Sequence, residues 1–307
     1  MLNTQTEIDV IVCGSLNLDW VTHVRQLPKV GETVLALSSQ KLPGGKGLNQ
    51  AIAAARMGAK VRLLGVSGAD SEAHLLRASL NAEGVDTSTL LTRAEVPTGM
   101  AQVLVDQRGQ NSIIVHAGAN GTMTALEVIA LTSRARVYIA QLETPAATVA
   151  AFFNKARQYN GICILNAAPA LPETAYLFAL ADVIVCNETE LGHYSESEEL
   201  NGSLTELSIF AKLARNLIKR PNQTIVITLG ARGVLIVTQL TNEYIAAVSV
   251  KAIDTTGAGD CFCGVLASEL ARGKMLSLAI SIANHAASIA VTRVGAAPSM
   301  PKKNELI

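Results

Sequence analysis

The segment Asp254–Asp260, with the letters DTTGAGD, combines two carboxylates, two hydroxyl side chains and a small-residue turn within seven residues. It leads directly into an apolar stretch from Cys261 that has the composition of a buried helix. Gly257, Ala258 and Gly259 carry small side chains or none, so their amides can approach a ligand closely. Because a helix N-terminus also carries partial positive charge, this segment predicts a site for an anion such as a transferring phosphoryl group.

Asp260 closes this segment and places a carboxylate beside the amides. A carboxylate there could accept the proton of an attacking hydroxyl while the amides hold the phosphoryl oxygens. From these residues alone, an alternative is that Asp260 only caps the helix and the glycines only form a tight turn.

A second glycine-rich turn, Pro43–Gly47, opens a predicted helix over Leu48–Met57 and also exposes backbone amides. It is not a P-loop, because its Gly-Lys pair is followed by Gly47 rather than by Ser or Thr. No G-x-G-x-x-G pattern follows a predicted strand, which disfavours a dinucleotide site.

Asn17 and Asp19 follow the first predicted strand. In α/β folds, ligands bind at the carboxyl ends of strands, and an amide with a carboxylate can share donor and acceptor duties toward sugar hydroxyls. These two side chains are therefore candidate sugar ligands, with ordinary turn residues as the alternative.

Short apolar runs alternate with longer helical patterns along the chain. The predicted strands are Ile8–Cys13, Val61–Val66, Val137–Ala140, Ile162–Leu165, Val183–Cys186, Thr224–Leu229 and Gly233–Val237. The predicted helices are Leu48–Met57, Ser71–Glu83, Pro145–Gln158, Leu204–Lys219, Asp260–Arg272 and Leu276–Val291. This alternation predicts an α/β fold in which a mainly parallel sheet is covered by helices on both faces.

Two regions, at about 19–39 and 98–115, interrupt the alternation. Their polar and apolar residues alternate, as in half-exposed strands, and no helical pattern separates them. They predict a small β-sheet at the edge of the main sheet, which could cover a site as a lid. Because no internal repeat or charged linker is present, we expect residues 1–307 to form one domain with this lid inserted.

The composition excludes several classes of protein. Hydrophobic residues make up 49% of the chain, enough for a large core. Lys and Arg together number 25, as do Asp and Glu, so no basic field is present to attract nucleic acid. No apolar run is long enough for a transmembrane helix and no secretory signal is recognisable, so we expect no membrane partner and a cytoplasmic location. Five cysteines, an odd count, indicate reduced thiols.

Several segments together resemble the ribokinase family of carbohydrate kinases. They are N-x-D at Asn17 and Asp19, GGKGLN at 44–49, QLE at 141–143, N-x-x-E at Asn187 and Glu190, TLGxxG at 228–233, DTTGAGD at 254–260, HAGAN at 116–120 and TRVGAAPS at 292–299. The resemblance runs from about Ile8 to Pro301 and implies a ribokinase-like three-layer core with a mainly parallel sheet and a small β-sheet lid.

The same resemblance implies an activity, namely ATP-dependent phosphorylation of the primary hydroxyl of D-ribose to give ribose 5-phosphate. Alternatives are 2-deoxyribose, another sugar or a nucleoside as the acceptor. A non-catalytic sugar sensor is the alternative from a different class of protein. Mg²⁺ as cofactor and K⁺ as activator are also implied, with a homodimer formed through the lid.

The resemblance assigns functions to individual residues. It implies Asp260 as the general base, with an anion hole formed by the amides of Gly257, Ala258, Gly259 and Asp260. The implied sugar ligands are Asn17, Asp19, Gly45, Lys46, Gly47, Asn49, Glu143 and Asp260. The implied ATP-binding residues are Asn187, Thr228, Gly230, Gly233, Gly259 and Asn284.

It also implies two metal sites. Glu190 is the implied Mg²⁺ residue, acting through water, as suits an ion that dehydrates reluctantly. The implied K⁺ site, mostly of backbone carbonyls, comprises Asp254, Thr256, Ala290, Arg293, Gly295 and Ser299. Leu48 and Trp20 depart from the family pattern, and we expect them to reshape the sugar pocket.

Overall fold

A computed structural model describes residues 8–196 and 206–306 of the protein. The strands in this part of the chain are β1 Ile8–Cys13, β2 Asn17–Val24, β3 Ala36–Gly44, β4 Val61–Gly68, β5 Leu90–Arg93, β6 Gly99–Val105, β7 Asn111–His116, β8 Ala135–Ala140, β9 Ile162–Asn166, β10 Val183–Asn187, β11 Thr224–Thr228, β12 Gly233–Val237 and β13 Asn242–Ala246. The α-helices are α1 Lys46–Arg56, α2 Ser71–Ala82, α3 Ala125–Ile129, α4 Ala146–Gln158, α5 Glu188–Ser195, α6 Leu207–Leu217, α7 Ala258–Ala271 and α8 Leu276–Ala290.

The larger sheet has nine strands within the described residues, in the spatial order β13-β12-β11-β10-β9-β8-β1-β4-β5. Its pairs from β5 across to β11 are all parallel, whereas β12 runs antiparallel to both of its neighbours. The predicted mainly parallel sheet is therefore confirmed. Because parallel strands end at the same edge, the loops after β1, β8, β9, β10 and β11 lie side by side.

The main sheet has a hydrophobic core on each face. Along β1, Val10 and Val12 pack into a cluster with α1 and α7, whereas Ile11 and Cys13 pack into a second cluster with α4. Successive side chains of a strand point to opposite faces, so a strand buried on both sides is apolar throughout. The three-layer arrangement follows directly from this pattern.

The smaller sheet has four strands in the order β3-β2-β6-β7. Only the pair β2–β6 is parallel. Val21, Val103 and Ile113 are cross-strand neighbours on one face, and Trp20, Gln102 and Ile114 are neighbours on the other. Strand β3 runs to Gly44 and so reaches the glycine-rich turn, five residues beyond the predicted boundary at 39.

Most element boundaries agree with the predictions to within about two residues, but two strands were not predicted. Strand β5 has only four residues, and β13 is a largely exposed edge strand, so neither carries the buried apolar run that marks a core strand. The predicted helix at 204–219 begins outside the described residues, within which α6 starts at Leu207. No helix in the described ranges is long and apolar enough to cross a membrane.

Candidate active site

Two adjoining cavities lie at the carboxyl edge of the main sheet. The larger, of about 600 Å³, lies between this edge and the small sheet. The smaller, of about 200 Å³, lies over the ends of β9, β10 and β11 and the start of α7. Residues that line both cavities are Lys46, Thr255, Gly257 and Asp260. Asp260 therefore stands where a ligand in one cavity would meet a ligand in the other.

The larger cavity has polar groups at its base and an apolar roof. The polar lining includes Asn17, Asp19, Lys46, Asn49 and Glu143, with the backbone of Gly45 beside them. The small sheet contributes apolar side chains at Val21, Leu42, Ala101, Val103, Val105, Ile113 and Val115. A base of acceptors and donors beneath an apolar cover suits a small polyol.

Gly45 and Gly47 hold the turn before α1 close to the end of β1. Gly45 has φ +92°, and a Cβ there would lie 2.6 Å from the backbone nitrogen of Asn17. A Cβ at Gly47 would lie 2.5 Å from the carbonyl carbon of Gly14, and Gly47 lines neither cavity. Gly47 thus packs behind the turn, although it was predicted as a sugar ligand.

Asp260 lies in the first turn of α7 and is only 7% exposed. Its Oδ2 accepts a hydrogen bond from Asn49 Nδ2 and its Oδ1 from Gln50 Nε2, both at 3.0 Å. Within the described residues no side chain caps α7, whose N-cap is Gly257 with φ +73°. The alternative that Asp260 only caps the helix is therefore wrong, because its carboxylate is directed to α1.

Charged groups surround this junction. Burial, reinforced by the charges of Glu143 and Asp260, raises the pKa of Asp19 to about 7. Burial alone would lower the pKa of Lys46, but the carboxylates of Asp260, Glu143 and Glu190 outweigh it and raise the pKa. Lys46 therefore carries a positive charge between the two cavities at neutral pH.

Three further hydrogen bonds fix the predicted sugar residues Glu143 and Asn17 in place. Glu143 Oε2 accepts hydrogen bonds from Ser15 Oγ and, at 3.2 Å, from the backbone nitrogen of Lys46. Asn17 Oδ1 accepts one from Asn120 Nδ2 at 2.8 Å. Asn120 was noted only as part of the HAGAN segment, and its contact with Asn17 was not predicted.

Asn187 and Glu190 form a reciprocal cap at the start of α5. Asn187 Oδ1 accepts from the backbone nitrogen of Glu190, and Glu190 Oε2 accepts from that of Asn187, both at 2.8 Å. Both residues line the smaller cavity, and burial raises the pKa of Glu190. No group of three or more His, Cys, Asp or Glu side chains in the described parts of the chain is placed to hold a metal ion. A single carboxylate nevertheless fits a hydrated Mg²⁺ that also binds phosphates.

The other predicted nucleotide residues are divided between two places. Thr228 and Gly259 line the smaller cavity. Gly230 and Gly233 flank the turn between β11 and β12, and Asn284 Nδ2 donates to Ala246 O at 2.9 Å, joining α8 to β13. These last three residues line neither of the two cavities.

The predicted K⁺ residues come from two segments that Asp254 joins. Its Oδ1 accepts from the backbone nitrogen of Thr256 at 2.9 Å and its Oδ2 from that of Gly295 at 2.8 Å. These hydrogen bonds outweigh burial and hold the pKa of Asp254 below its usual range. Arg293 Nη1 donates a hydrogen bond to Ser299 O at 3.4 Å, and the Arg293 backbone nitrogen donates one to Ala290 O at 3.0 Å. Carboxylate and carbonyl oxygens such as those of Asp254, Ala290 and Ser299 are the ligand type that hard cations prefer.

Leu48 and Trp20 do not shape the pocket, so that expectation was wrong. Leu48 is fully buried in the core between α1 and the sheet, because it follows the glycine turn on the inner side of the helix. Trp20 lies on the outer face of the small sheet, where its indole nitrogen donates to Ser39 and Lys41 lies 5.5 Å above its ring. Alternation along β2 places Asp19 and Val21, and not Trp20, toward the cavity.

A three-layer α/β core, with a carboxylate and the start of a helix between two cavities, is the arrangement expected of a phosphotransferase that acts on small polar molecules. The match to a family model agrees: residues 7–303 match the pfkB family carbohydrate kinases. The chain therefore belongs to the pfkB family of carbohydrate kinases.

Individual relatives are similar over their full length. The chain is 36% identical over 303 residues to the ribokinase of Staphylococcus aureus (strain COL), covering 97% of this chain and 98% of that protein. It is 31% identical over 299 residues to the deoxyribokinase of Salmonella typhi, covering 96% of each. The solved structure of Arabidopsis thaliana ribokinase complexed with ribose and ATP superposes with a TM-score of 0.86, at 27% identity over 98% of each chain.

Proposed function

We propose that this protein transfers the γ-phosphoryl group of ATP to the primary hydroxyl of D-ribose, giving ribose 5-phosphate and ADP. The observation that carries the proposal is the position of Asp260, which lines both cavities at their junction. Sugar would occupy the larger cavity beneath the small sheet and the triphosphate the smaller one. The relatives named above act on ribose or deoxyribose, as their names state.

In the proposed step Asp260 accepts the proton of the sugar hydroxyl as its oxygen attacks the γ-phosphorus. The bond between that phosphorus and the bridging oxygen breaks, and ADP leaves with the electron pair. Backbone amides of Gly257, Ala258, Gly259 and Asp260 stabilise the charge on the transferred group, aided by Lys46.

Sugar recognition is assigned to the polar base of the larger cavity. Asn49 donates to Asp260 through Nδ2, and in the described structure its buried Oδ1 has no hydrogen-bond partner. A buried acceptor without a partner is costly, so a sugar hydroxyl at that point would gain a hydrogen bond and relieve the cost. Asn17, Asp19, Gly45 and Glu143 complete the proposed set.

For the nucleotide side, we assign Asn187 and Thr228 to ATP and Glu190 to a hydrated Mg²⁺. Gly230, Gly233 and Asn284 line neither cavity, and their assignment to the base and ribose of ATP follows from the family resemblance alone. Mg²⁺, when bound, would neutralise phosphate charge. K⁺, when bound near Asp254, Thr256, Ala290, Arg293, Gly295 and Ser299, would order the segment before α7 electrostatically.

We also propose that the small sheet is a lid within one kinase domain, and that two chains pair through it. Apolar side chains exposed on the lid include Leu35, Leu37 and Ile114, and Ile114 lies on the face away from the cavity. Exposed apolar surface and open strand edges are usually covered by a partner. Sedimentation should give a dimer, and a monomer at micromolar concentration would contradict this assignment.

Phosphorylation of 2-deoxyribose is the second candidate function, because the Salmonella typhi relative is a deoxyribokinase. The test is the initial rate of ADP formation with ribose, 2-deoxyribose, fructose and adenosine, each with Mg²⁺ and with K⁺ or Na⁺. We expect the highest kcat/KM with ribose, and faster turnover in K⁺. A higher kcat/KM with 2-deoxyribose would make 2-deoxyribose the assigned substrate. Inactivity with every acceptor would favour a non-catalytic sugar sensor.

A further inference from the structure

Three buried amide side chains, those of Gln50, Gln141 and Asn166, form a hydrogen-bonded network next to Asp260. Gln50 donates from Nε2 to Asp260 Oδ1 and to Asn166 Oδ1, both at 3.0 Å. Its Oε1 accepts from Gln141 Nε2 at 2.7 Å. Because both hydrogens and the oxygen of the Gln50 amide are used, its NH₂ group is fixed toward the carboxylate.

The amide network joins separate elements of the core. Gln50 belongs to α1, Gln141 follows β8, and Asn166 ends β9. Gln50 and Gln141 have no exposed surface, and neither lines either of the two cavities described above. Gln50 thus cannot touch a ligand held in either cavity, and its contacts with the reacting groups pass through Asp260 and Asn166.

Burying the amide network costs folding free energy. Gln141 Oε1 has no hydrogen-bond partner within the described structure, and it packs so closely that a Cβ at Gly14 would lie 2.0 Å from it. An unsatisfied buried acceptor costs about 1–3 kcal/mol, whereas apolar side chains at these positions would cost nothing of that kind. Stability alone therefore does not account for three amides at this place.

We propose that Gln50 is a positioning residue for phosphoryl transfer, a proposal that rests on the function proposed above. With Asn49 on Oδ2 and Gln50 on Oδ1, the Asp260 carboxylate is restrained at both oxygens. Gln141 sets the direction of the Gln50 amide by occupying its oxygen. Misplacing a reacting group by about 1 Å can cost on the order of 100-fold in rate, so this restraint bears on turnover.

The first test compares Gln50→Met with Gln223→Met. Gln223 is also buried and uses both ends of its amide, but at the opposite, amino end of the parallel strands. With the best sugar of the panel, Gln50→Met should lower kcat about 10- to 100-fold and change the calorimetric Kd for that sugar less than about threefold. Gln223→Met should keep kcat within about twofold. Unchanged kcat in Gln50→Met, or an equal loss in the control, would overturn the proposal.

The second test asks whether Gln50 acts through Asp260. In an Asp260→Asn background, adding Gln50→Met should change the residual kcat by less than about threefold, because the group that Gln50 positions is no longer a base. The same fold-loss in both backgrounds would overturn the proposal. Full activity of Asp260→Asn itself would instead refute the proposed base, a separate result.

Gln50→Asn covers the case in which Gln50→Met does not fold. Asparagine keeps an amide but is one methylene shorter, so its NH₂ group cannot take the position from which Gln50 donates to Asp260 Oδ1. Its kcat should fall about 10- to 100-fold, and wild-type kcat in this folded variant would contradict the proposal.

Discussion

At the scale of single residues, the site is dominated by carboxylates that are close together and partly buried. Asp19 adjoins the charges of Glu143 and Asp260, and Lys46 lies among Asp260, Glu143 and Glu190. Because these like charges are crowded, the stability of the ligand-free protein depends on whether the carboxylates are protonated. The carboxylates of Asp19, Glu143 and Asp260 also give the larger cavity acceptors to which a hydroxylated ligand could donate hydrogen bonds.

Asp19 makes the ligand-free protein less stable as the pH rises. Its pKa is raised to about 7, whereas an aspartate in an unfolded chain titrates near pH ~3.9. Between these values the folded state holds a proton that the unfolded state lacks, so stability falls through this window and levels off above pH ~7.

Replacing Asp19 by Asn should remove this dependence. From pH 5 to pH 8, wild type should lose on the order of 2 kcal/mol of unfolding free energy relative to Asp19→Asn. Urea unfolding at both pH values measures the difference. Parallel pH profiles for the two proteins would show that Asp19 is ionised throughout.

Asp260→Asn should lower kcat by roughly 100- to 10,000-fold, because the amide cannot accept the hydroxyl proton. The side chain keeps its size, so the Kd for sugar should change little. Steady-state rates with calorimetry separate the two effects. A variant that turns over like wild type would mean that another group takes the proton.

At the scale of elements, the site depends on how closely α1 packs against α7. Gly264 lies where these helices cross, and a Cβ there would lie 2.4 Å from Gln50 O and 2.6 Å from the Ala53 Cβ. Backbone atoms cannot move aside as a flexible side chain can. Helix α1 carries Asn49 and Gln50, so its separation from α7 sets their distance to Asp260.

Gly264→Ala should therefore destabilise the protein by about 1–3 kcal/mol and lower kcat as well. Gly121→Ala is the matched control, since its Cβ would lie 3.6 Å from the Ala117 Cβ, an ordinary contact. Urea unfolding and initial rates test both variants. Equal stability and equal kcat of the two variants would mean that α1 and α7 can move apart without affecting the fold or the position of Asp260.

Arg56 joins α1 to the segment that follows α8. Its Nη1 donates to Ala297 O at 2.8 Å and to Met300 O at 2.6 Å, and its Nη2 pairs with Glu83 at 2.5 Å. Arg56→Ala leaves these partly buried acceptors unpaired, so we expect a loss of about 2–4 kcal/mol by urea unfolding.

The matched control for Arg56 is Lys41→Ala. Lys41 pairs with Glu72 at 2.9 Å, but the lysine side chain is 49% exposed. Exposed pairs contribute about 0–1 kcal/mol, so this variant should remain near wild type. A loss for Arg56→Ala no larger than that of the control would mean that solvent satisfies the freed groups.

At the scale of the whole molecule, the fold was predictable because buried parallel strands carry continuous apolar runs, as in β1. The exposed edge strand β13 has no such signal and was missed. The glycine-rich turns correctly indicated that Gly45 and Gly257 would lie at a cavity, whereas Gln50, directly after Asn49, was given no role. From a single sequence, nothing indicates that a glutamine in a helix is buried. The partners of Gln50, namely Gln141 and Asn166, are also distant from it along the chain.

The central claim is that this chain phosphorylates the primary hydroxyl of a pentose from ATP, with the acceptor held between the core and the small sheet. The most direct measurement is ³¹P and ¹H NMR of the products formed from ATP, Mg²⁺, K⁺ and ribose by the purified protein. We predict one new phosphomonoester, coupled to the C5 protons of ribose, in amounts equal to the ADP formed. ADP without a sugar phosphate, or a phosphate at the anomeric carbon, would contradict the account.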